Sequence, residues 1–335
     1  MSRRILLIAS SAVADSMERH VIDALGSMGH SVRHFDIKRL TGFGQRIDYA
    51  LASALRLVIR EPERLRERAL LGAVSAFQPE LILVLLGSAL SPKTVMRLRR
   101  NYSGRIVCWC QDQLTTMDRQ YLIGAEYDRL FVKDRYMVEF LTAMAGHPHV
   151  HYLPEACNPA VHRSVELTAE EREYFGADIC TFGTLYYYRQ ALLQALEGYD
   201  LKVWGHVPDW LVHRLGARHM GRPVYEADKC KAVAGAKIVL NTLHYGEING
   251  LNCRAFEAAG CGAFQLMSYS PAAAAHFEPD REVVLFRSRR ELIDRIDHYL
   301  AHPEESVAIA RAAQRRAYAE HTYQHRLGRL LELSI

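Results

Sequence analysis

The chain contains the run Pro79-Glu80-Leu81-Ile82-Leu83-Val84-Leu85-Leu86-Gly87. Its six residues from Leu81 to Leu86 are all apolar, and a glycine follows them. A strand with one face in water alternates apolar and polar residues, whereas a parallel strand covered on both faces is apolar throughout. Residues 79–87 therefore predict a buried parallel strand. Since parallel strands need long crossover connections, helices are expected on either side of it.

The sequence around this run alternates further strands with amphipathic helices. A helix over residues 15–29 carries Met17, Val21 and Leu25 at helical spacing and stops at Gly29. Strands are predicted over residues 3–9, 31–36, 105–110 and 129–132, and helices over about 48–77 and from Ser91. This βαβα succession predicts a doubly wound parallel sheet.

The pattern restarts after residues 151–159 (HYLPEACNP), which carry two prolines and no helical periodicity, so this segment is the predicted linker. Strands are predicted over residues 178–183, 201–205, 236–241, 263–266 and 282–286, followed by a helical tail from Ser288, broken near Pro303. The predicted fold class is α/β, with two Rossmann-like doubly wound domains at residues 1–154 and 155–335. A ligand cleft is expected between them.

Composition excludes several classes of protein. Of 335 residues, 49% are apolar and 24% charged, which is typical of a globular protein. The apolar run at residues 5–9 is too short for a signal peptide, and no stretch is long enough for a membrane span. The seven cysteines form no C-x-x-C pair, so reduced thiols and a cytoplasmic location are expected.

The distribution of charge argues against nucleic acid as a partner. The net charge is +4, and the excess of positive residues up to Glu155 is small and dispersed. The most basic segment contains Arg56, Arg60, Arg64, Arg66 and Arg68, with Glu61, Glu63 and Glu67 between them. Interleaved charges fit a solvated helix face better than a membrane-bound one, so peripheral membrane contact is the less favoured interpretation.

The segment from Asn241 to Ala263 is the most informative for chemistry. A predicted strand ends at Asn241, a small polar loop follows, and a helix with Arg254 and Glu257 comes next. A helix N-terminus favours a phosphate group, and an arginine adds a charge-assisted contact. A glutamate one turn further on could accept hydrogen bonds from a ribose diol. A plain turn, with Arg254 and Glu257 as a local ion pair, is the alternative.

These residues resemble the glycosyltransferases of GT-B architecture, and within them the CgeB-like (spore maturation CgeB/YkvP type) group. The resemblance extends over most of the chain and is most specific at 249–262 and in the tail. The motifs that carry it are Gly87-Ser88, residues 109–112, 152–159 and 178–183, Arg189, residues 249–257 and 260–262, Tyr299-Leu300, Pro303, and residues 320–323 with Arg326.

The resemblance implies a hexosyl- or deoxyhexosyl-transferase whose nucleoside diphosphate sugar donor is held by the C-terminal domain. It implies donor contacts from Gly183, Arg189, Asn249, Gly250, Leu251, Asn252, Arg254 and Glu257. Glu257 matches the second of two glutamates in many GT-B enzymes, whereas Asn249 stands in place of the first, which leaves stereochemistry open. The last helix, about 306–335, is expected to cross back onto the N-terminal domain.

The absence of an Asp-x-Asp motif argues that no metal ion or other cofactor is needed. Without carboxylates to hold a cation, the charge on the leaving diphosphate must be met by arginines and helix ends. A base to activate the acceptor belongs at the carboxyl edge of the N-terminal sheet, where Asp112 is the first candidate and Asp15 the second. A turn or helix cap is the alternative role for Asp112.

Two other functions stay open. One is a nucleotide-sugar epimerase or hydrolase of the same fold, and the other is a non-catalytic nucleotide-sugar-binding protein, which the asparagine at position 249 favours. The first strand is not followed by G-x-G-x-x-G, which argues against a nicotinamide dehydrogenase. The sequence does not identify the acceptor, whether protein, glycan, lipid or small molecule.

Overall fold

The computed structural model describes residues 2–10, 12–37, 63–85, 90–114 and 122–334. The chain divides into two compact units. The first contains Met1–Pro154 together with Tyr323–Ile335, and the second contains Glu155–Thr322.

The first unit contains a six-stranded, wholly parallel sheet in the order β2-β1-β3-β4-β5-β6. Its strands are β1 (Arg4–Ala9), β2 (Ser31–Asp36), β3 (Leu81–Leu85), β4 (Arg105–Cys110), β5 (Arg129–Val132) and β6 (Val150–Tyr152). All five residues of β3 are buried, as the apolar run at residues 79–87 predicted.

Helices connect these strands where the sequence has capping residues. They are α1 (Met17–Ser27), α2 (Glu63–Phe77), α3 (Pro92–Asn101) and α4 (Arg135–Ala143). The Ser91 side chain accepts a hydrogen bond from the Thr94 amide, and Pro92 occupies the first turn, where its missing N–H costs nothing. Gly29 ends the first helical segment with a φ of +82°.

The second unit repeats this architecture with a five-stranded parallel sheet in the order β11-β10-β9-β7-β8. Its strands are β7 (Ala177–Phe182), β8 (Leu201–Trp204), β9 (Ala236–Asn241), β10 (Gln265–Ser268) and β11 (Val284–Phe286). Its helices are α5 (Ala169–Phe175), α6 (Tyr187–Leu193), α7 (Asp209–Leu215), α8 (Glu226–Gly235), α9 (Cys253–Gly260), α10 (Pro271–His276), α11 (Arg289–Ala301) and α12 (Pro303–Glu320). The predicted α/β class with two Rossmann-like domains is confirmed.

The chain ends in α13 (Tyr323–Ser334), which belongs to the first unit. Tyr323 is buried there against His20 and Trp109, at ring-centroid distances of 5.3 and 6.3 Å. Arg129 also donates a hydrogen bond to the carbonyl oxygen of Leu333 over 3.1 Å. The first sheet is therefore packed by residues from both ends of the chain.

Several sequence-based boundaries differ from the structure. The linker predicted over residues 151–159 begins inside β6, because His151 and Tyr152 pair with β5. The strand predicted over residues 263–266 is β10, two residues later. The single helix predicted over about 306–335 is instead α12 and α13, separated at His321-Thr322.

Some predictions fall on residues outside the described ranges. These include Gly87-Ser88 and the first half of the helix expected over about 48–77, of which the structure describes α2. Within α2, Glu67 forms an ion pair with Arg97 of α3. Across the described ranges, the helices are either too short or too polar to cross a membrane.

Candidate functional site

The strand order of the second unit creates a crevice at the carboxyl ends of β7 and β9. These strands are neighbours, but β7 connects onward to β8 on one side and β9 to β10 on the other. Connections that leave in opposite directions open a space at the strand ends, where ligands of parallel α/β sheets bind. Gly183 follows β7 there, and Thr242 follows β9.

Gly183 and Gly205 bring the ends of β7 and β8 unusually close together. Gly183 has a φ of +97°, and its amide donates to the Trp204 carbonyl oxygen over 2.9 Å. A Cβ atom on Gly205 would lie only 1.9 Å from the Gly183 carbonyl oxygen. Gly183 is favoured by its positive φ, and Gly205 is required because a side chain has no space there. The sharp turn after β7 therefore depends on both glycines.

Arg254, in the first turn of α9, lies over this turn. Its Nη1 donates a hydrogen bond to the Phe182 carbonyl oxygen over 2.7 Å. A Cβ atom on Gly183 would meet the same guanidinium at 3.5 Å. The local ion pair with Glu257, one of the two sequence-based interpretations, is not formed, so Arg254 is bound to a neutral acceptor.

Arg189 is buried beneath the same strand ends, with 2% of its surface exposed. Its Nε donates to the Thr242 hydroxyl (2.6 Å), and its Nη atoms donate to Thr181 Oγ1 (2.8 Å), the Thr184 carbonyl (2.5 Å) and the Phe182 carbonyl (3.4 Å). Arg189 thus ties β7 to β9. The diphosphate contact that the resemblance implies for it stays a prediction.

Arg189 and Arg254 form a positively charged pair. Burial, together with the nearby Arg254 charge, lowers the pKa of Arg189 well below its usual range. Within the described ranges, neither arginine forms an ion pair with a carboxylate. Two adjacent guanidinium groups without an anionic partner favour a bound anion electrostatically.

The N-terminus of α9 is organised by Asn252. Its side chain accepts a hydrogen bond from the Ala255 amide over 3.2 Å and exchanges hydrogen bonds with the Asn241 side chain over 3.0 and 3.2 Å. Asn252 is 7% exposed and is the N-cap of this helix. The donor contact that the resemblance implies for it stays a prediction. The amides of Cys253 and Arg254 have no intrahelical acceptor, as in any first helical turn.

The loop before Asn252 places the other predicted donor contacts at different depths. Leu251 is completely buried in the core around α9, and the Gly250 carbonyl accepts a hydrogen bond from Ser270 Oγ over 3.3 Å. Asn249 is half-buried at the start of this turn. Gly250 and Leu251 are buried, whereas Asn249 is partly exposed as a residue, with its Oδ1 atom buried.

Glu257 is held by a lysine that was not predicted from the sequence as a site residue. Lys229 on α8 donates from Nζ to Glu257 Oε2 over 2.8 Å, and both side chains are more than nine-tenths buried. The Lys229 ammonium also lies 5.8 Å from the centroid of the Phe182 ring. The sequence held one signal for this ion pair. Lys229 lies one turn before the apolar Val233 on α8, and a lysine on an apolar helix face needs a partner.

Aromatic side chains extend the same edge of the sheet. Tyr188 donates to the Leu243 carbonyl over 2.7 Å, which joins α6 to the loop after β9. The His244 ring is 5.1 Å from Tyr186 and 4.1 Å from Tyr245, and Tyr245 is 83% exposed. The rings thus offer flat apolar surface to a ligand at these strand ends.

A cavity of about 580 Å³ adjoins this edge beside β9, β10 and β11. Arg287 in its wall is stacked on Tyr269, with its guanidinium carbon 3.2 Å from the ring centroid. The lining residues are Tyr188, Ala191, Leu192, Thr242, Ser268, Tyr269, Phe286, Arg287, Ser288 and Arg289. Tyr188 and Thr242 belong to both the cavity wall and the crevice.

The two candidate bases lie after strands of the first sheet, as predicted from their positions. Asp15 has a φ of +60°, and its fully buried carboxylate is 3.0 Å from Nε2 of His20, which is also buried. Asp112, two residues beyond β4, is half-buried, and its carbonyl accepts a hydrogen bond from the Cys110 thiol. As whole residues both are partly exposed, although the Asp15 carboxylate itself is buried.

Part of the chain is similar to a known protein family. A family model described as "Glycosyl transferase-like" matches residues 189–332, and no curated protein sequence matches the chain. The matched region includes Arg189, the loop after β9, Arg254 and Glu257, and it extends into α13, but it begins after Gly183.

Solved structures that cover nearly the whole chain share its fold. Sucrose-phosphate synthase from Thermosynechococcus elongatus has a TM-score of 0.71 at 14% identity, over 99% of this chain and 98% of that one. HepE from Anabaena, in complex with UDP-glucose, has a TM-score of 0.69 at 14% identity, over 98% of each chain. A glycosyltransferase from Rickettsia africae has a TM-score of 0.66 at 10% identity, over 99% and 97%.

The shared fold shows that the chain has the two-domain GT-B architecture. Residues 189–332 are similar to the glycosyl transferase-like family. The narrower resemblance to the CgeB-like group stays a prediction.

Proposed function

We propose that the protein is a glycosyltransferase that takes a hexosyl or deoxyhexosyl group from a nucleoside diphosphate sugar without a metal ion. In this proposal the second unit binds the donor, and the first unit binds the acceptor. The family match over residues 189–332 and the nucleotide-bound structures of the same fold support donor binding by the second unit.

The observation that carries the proposal is the pair of arginines at the turn after β7. Arg189 and Arg254 are adjacent, share no carboxylate among the described residues and lie beside the first turn of α9. A diphosphate at Gly183 would be met by the Arg254 guanidinium and by the free amides of the helix. These groups would stabilise the departing diphosphate without a cation.

The remaining predicted contacts divide between direct and supporting roles. Glu257, oriented by Lys229, is the proposed ribose contact, and Asn249 is the proposed sugar contact. Gly250, Leu251 and Asn252 set the shape of the loop through buried contacts. Asp112 is the proposed acceptor base because it lies two residues beyond β4, whereas the Asp15 carboxylate is fully buried beside His20.

The proposal is tested by a thermal-shift screen in EDTA against five nucleoside diphosphates, their sugars, and the corresponding nucleosides. Because HepE is described with UDP and UDP-glucose, uridine compounds are tested first. A ligand that binds only the folded protein raises the melting temperature by mass action. We expect one nucleotide family to raise it, with the diphosphate more effective than the nucleoside.

Product analysis with the labelled donor then separates the three functions. Transfer to an added acceptor pool supports the glycosyltransferase. Sugar release or isomerisation without an acceptor would indicate the hydrolase or epimerase, and binding without any product would indicate a non-catalytic protein. A melting temperature unaffected by millimolar nucleotides would overturn the donor site itself.

A further inference from the structure

Two histidines and a glutamate meet where α11 passes into α12. His298 lies in the last turn of α11, His302 is the residue between the helices, and Glu305 lies in the first turn of α12. Each offers one ligand atom, and the three atoms lie within 4.8 Å of one another. The cluster is therefore compact enough to surround one ion.

The hydrogen bonds of the cluster orient its ligand atoms. His302 Nδ1 lies 2.8 Å from the His298 carbonyl oxygen, which can only accept, so Nδ1 carries a proton and Nε2 is the ligand atom. His298 Nε2 lies 3.0 Å from Glu305 Oε2. The two rings are stacked, with centroids 4.5 Å apart and planes at 26°. A backbone carbonyl that fixes the tautomer is a usual second contact of metal-binding histidines.

The surroundings favour a cation. Residues 297–305 include Asp297, Glu304 and Glu305 but no lysine or arginine. Arg295, one helical turn before His298, forms an ion pair with Asp280. The His298 and Glu305 side chains are 44% and 47% exposed, so an ion can reach them from solvent. The local negative charge and open access therefore agree with the ligand arrangement.

We propose that His298, His302 and Glu305 bind one zinc-class divalent ion. Imidazole nitrogens with one carboxylate oxygen suit Zn²⁺, which binds them at about 2.0–2.2 Å in tetrahedral geometry, with water as the fourth ligand. Adjacent ligand atoms then lie about 3.3 Å apart, close to the separation that His298 and Glu305 already have. The ligand atom of His302 lies within 4.8 Å of the other two.

This ion would stabilise the helix junction and take no part in sugar transfer. α11 follows β11 and runs for 13 residues, about 20 Å, away from the carboxyl edge of the sheet. The cluster is at its far end, whereas Gly183 and Arg254 are at the carboxyl edge. The inference therefore goes beyond the proposed function and does not depend on it.

The test is calorimetric titration of tag-free, EDTA-dialysed full-length protein with Zn²⁺. We expect one ion per chain, and a melting temperature raised by about 3 °C or more when Zn²⁺ exceeds its dissociation constant 100-fold. Co²⁺ should give the visible absorption of a tetrahedral site, and Zn²⁺ should abolish it. His298→Gln and His302→Gln should each weaken Zn²⁺ binding at least about tenfold.

His213→Gln is the matched control, because His213 is an exposed histidine of the same unit outside the cluster. Each variant must keep the parent's circular dichroism spectrum and its melting temperature in EDTA. The inference is overturned if no stoichiometric Zn²⁺ binding occurs up to about 1 mM, or if both cluster variants bind as tightly as the parent. The response to nucleotides should be unchanged in all three variants, so failure here is separate from failure of the donor site.

Discussion

Arg189 and Arg254 donate hydrogen bonds to the same acceptor, the carbonyl oxygen of Phe182, over 3.4 and 2.7 Å. Arg189 approaches from α6 and Arg254 from the first turn of α9. Their positive charges are thereby held together at the end of β7. The electrostatic repulsion between the two guanidinium groups is offset when an anion binds beside them.

Replacing Arg254 with alanine should weaken binding of the nucleoside diphosphate about 10- to 100-fold, since a hydrogen bond to a charged group contributes roughly 1.5–3 kcal/mol. Calorimetric titration with the nucleotide found in the screen measures this loss. Arg214→Ala, which removes an exposed arginine of α7, is the control and should bind like the parent. Equal affinity in all three proteins would show that Arg254 does not contact the donor.

Gly183→Ala should reduce both stability and donor affinity. Its φ of +97° strains any residue with a Cβ by about 1–3 kcal/mol, and the added methyl group would meet the Arg254 guanidinium. Urea unfolding measures the stability, and titration the affinity. Gly198→Ala, where the methyl group meets no atom within 4 Å, is the matched substitution and should change neither. The strain argument fails if the two variants behave alike.

Lys229→Met should destabilise the second unit by about 3–5 kcal/mol, because it leaves the Glu257 carboxylate buried without its ion-pair partner. The double variant Lys229→Met with Glu257→Gln should recover part of this loss. Lys237→Met breaks an ion pair of the same 2.8 Å length, but Lys237 is 63% exposed. Lys237→Met should therefore lower the free energy of unfolding, measured in urea, by about 1 kcal/mol or less.

Recovery in the double variant separates a buried charge effect from simple loss of packing. If Lys229→Met and the double variant unfold at the same urea concentration, the cost comes from packing. In the proposed function, Lys229→Met should also weaken donor binding, because the ribose contact loses its orientation.

Asp128→Asn should destabilise the first unit by about 1–2 kcal/mol at neutral pH. Burial alone would raise the pKa of Asp128. Hydrogen bonds from the Ile106 amide (2.7 Å) and from Arg99 outweigh it, so the pKa is lowered. A lowered carboxyl pKa stabilises the folded protein above the ordinary value near 4, and this gain disappears as the pH falls through the lowered value.

Urea unfolding of parent and variant at pH 7 and at successively lower pH values measures this effect. The difference between the two proteins should shrink below about pH 4. A difference that stays constant down to the acid limit would contradict the assignment of the carboxylate.

The strands were predictable because burial on both faces leaves a direct trace in the sequence. Residues 105–110, 129–132 and 236–241 were assigned with the bounds that the structure has. The capped start of α3 at Ser91-Pro92 was equally readable, since both residues act locally. Beyond such local signals the sequence alone was less informative, as the merged prediction for α12 and α13 illustrates.

The partners of the site residues were not predictable from one sequence. Lys229 and Glu257 are 28 positions apart, and only the packing of α8 beside α9 brings them together. Arg189 has the spacing of a surface helix start, yet its acceptors come from β7 and the residue after β9. Which polar groups meet is decided by tertiary contacts, and these leave no periodic pattern.

The placement of α13 in the first unit has a consequence for how the chain is synthesised. During synthesis, residues 1–154 emerge from the ribosome long before Tyr323 does. The ring of Tyr323 packs on His20 and Trp109 in the folded protein. The first unit therefore stays incompletely packed, without α13, until the second unit has been synthesised. A stop codon that removes only α13 would thus damage the opposite end of the polypeptide, and leave the region nearest the truncation largely intact.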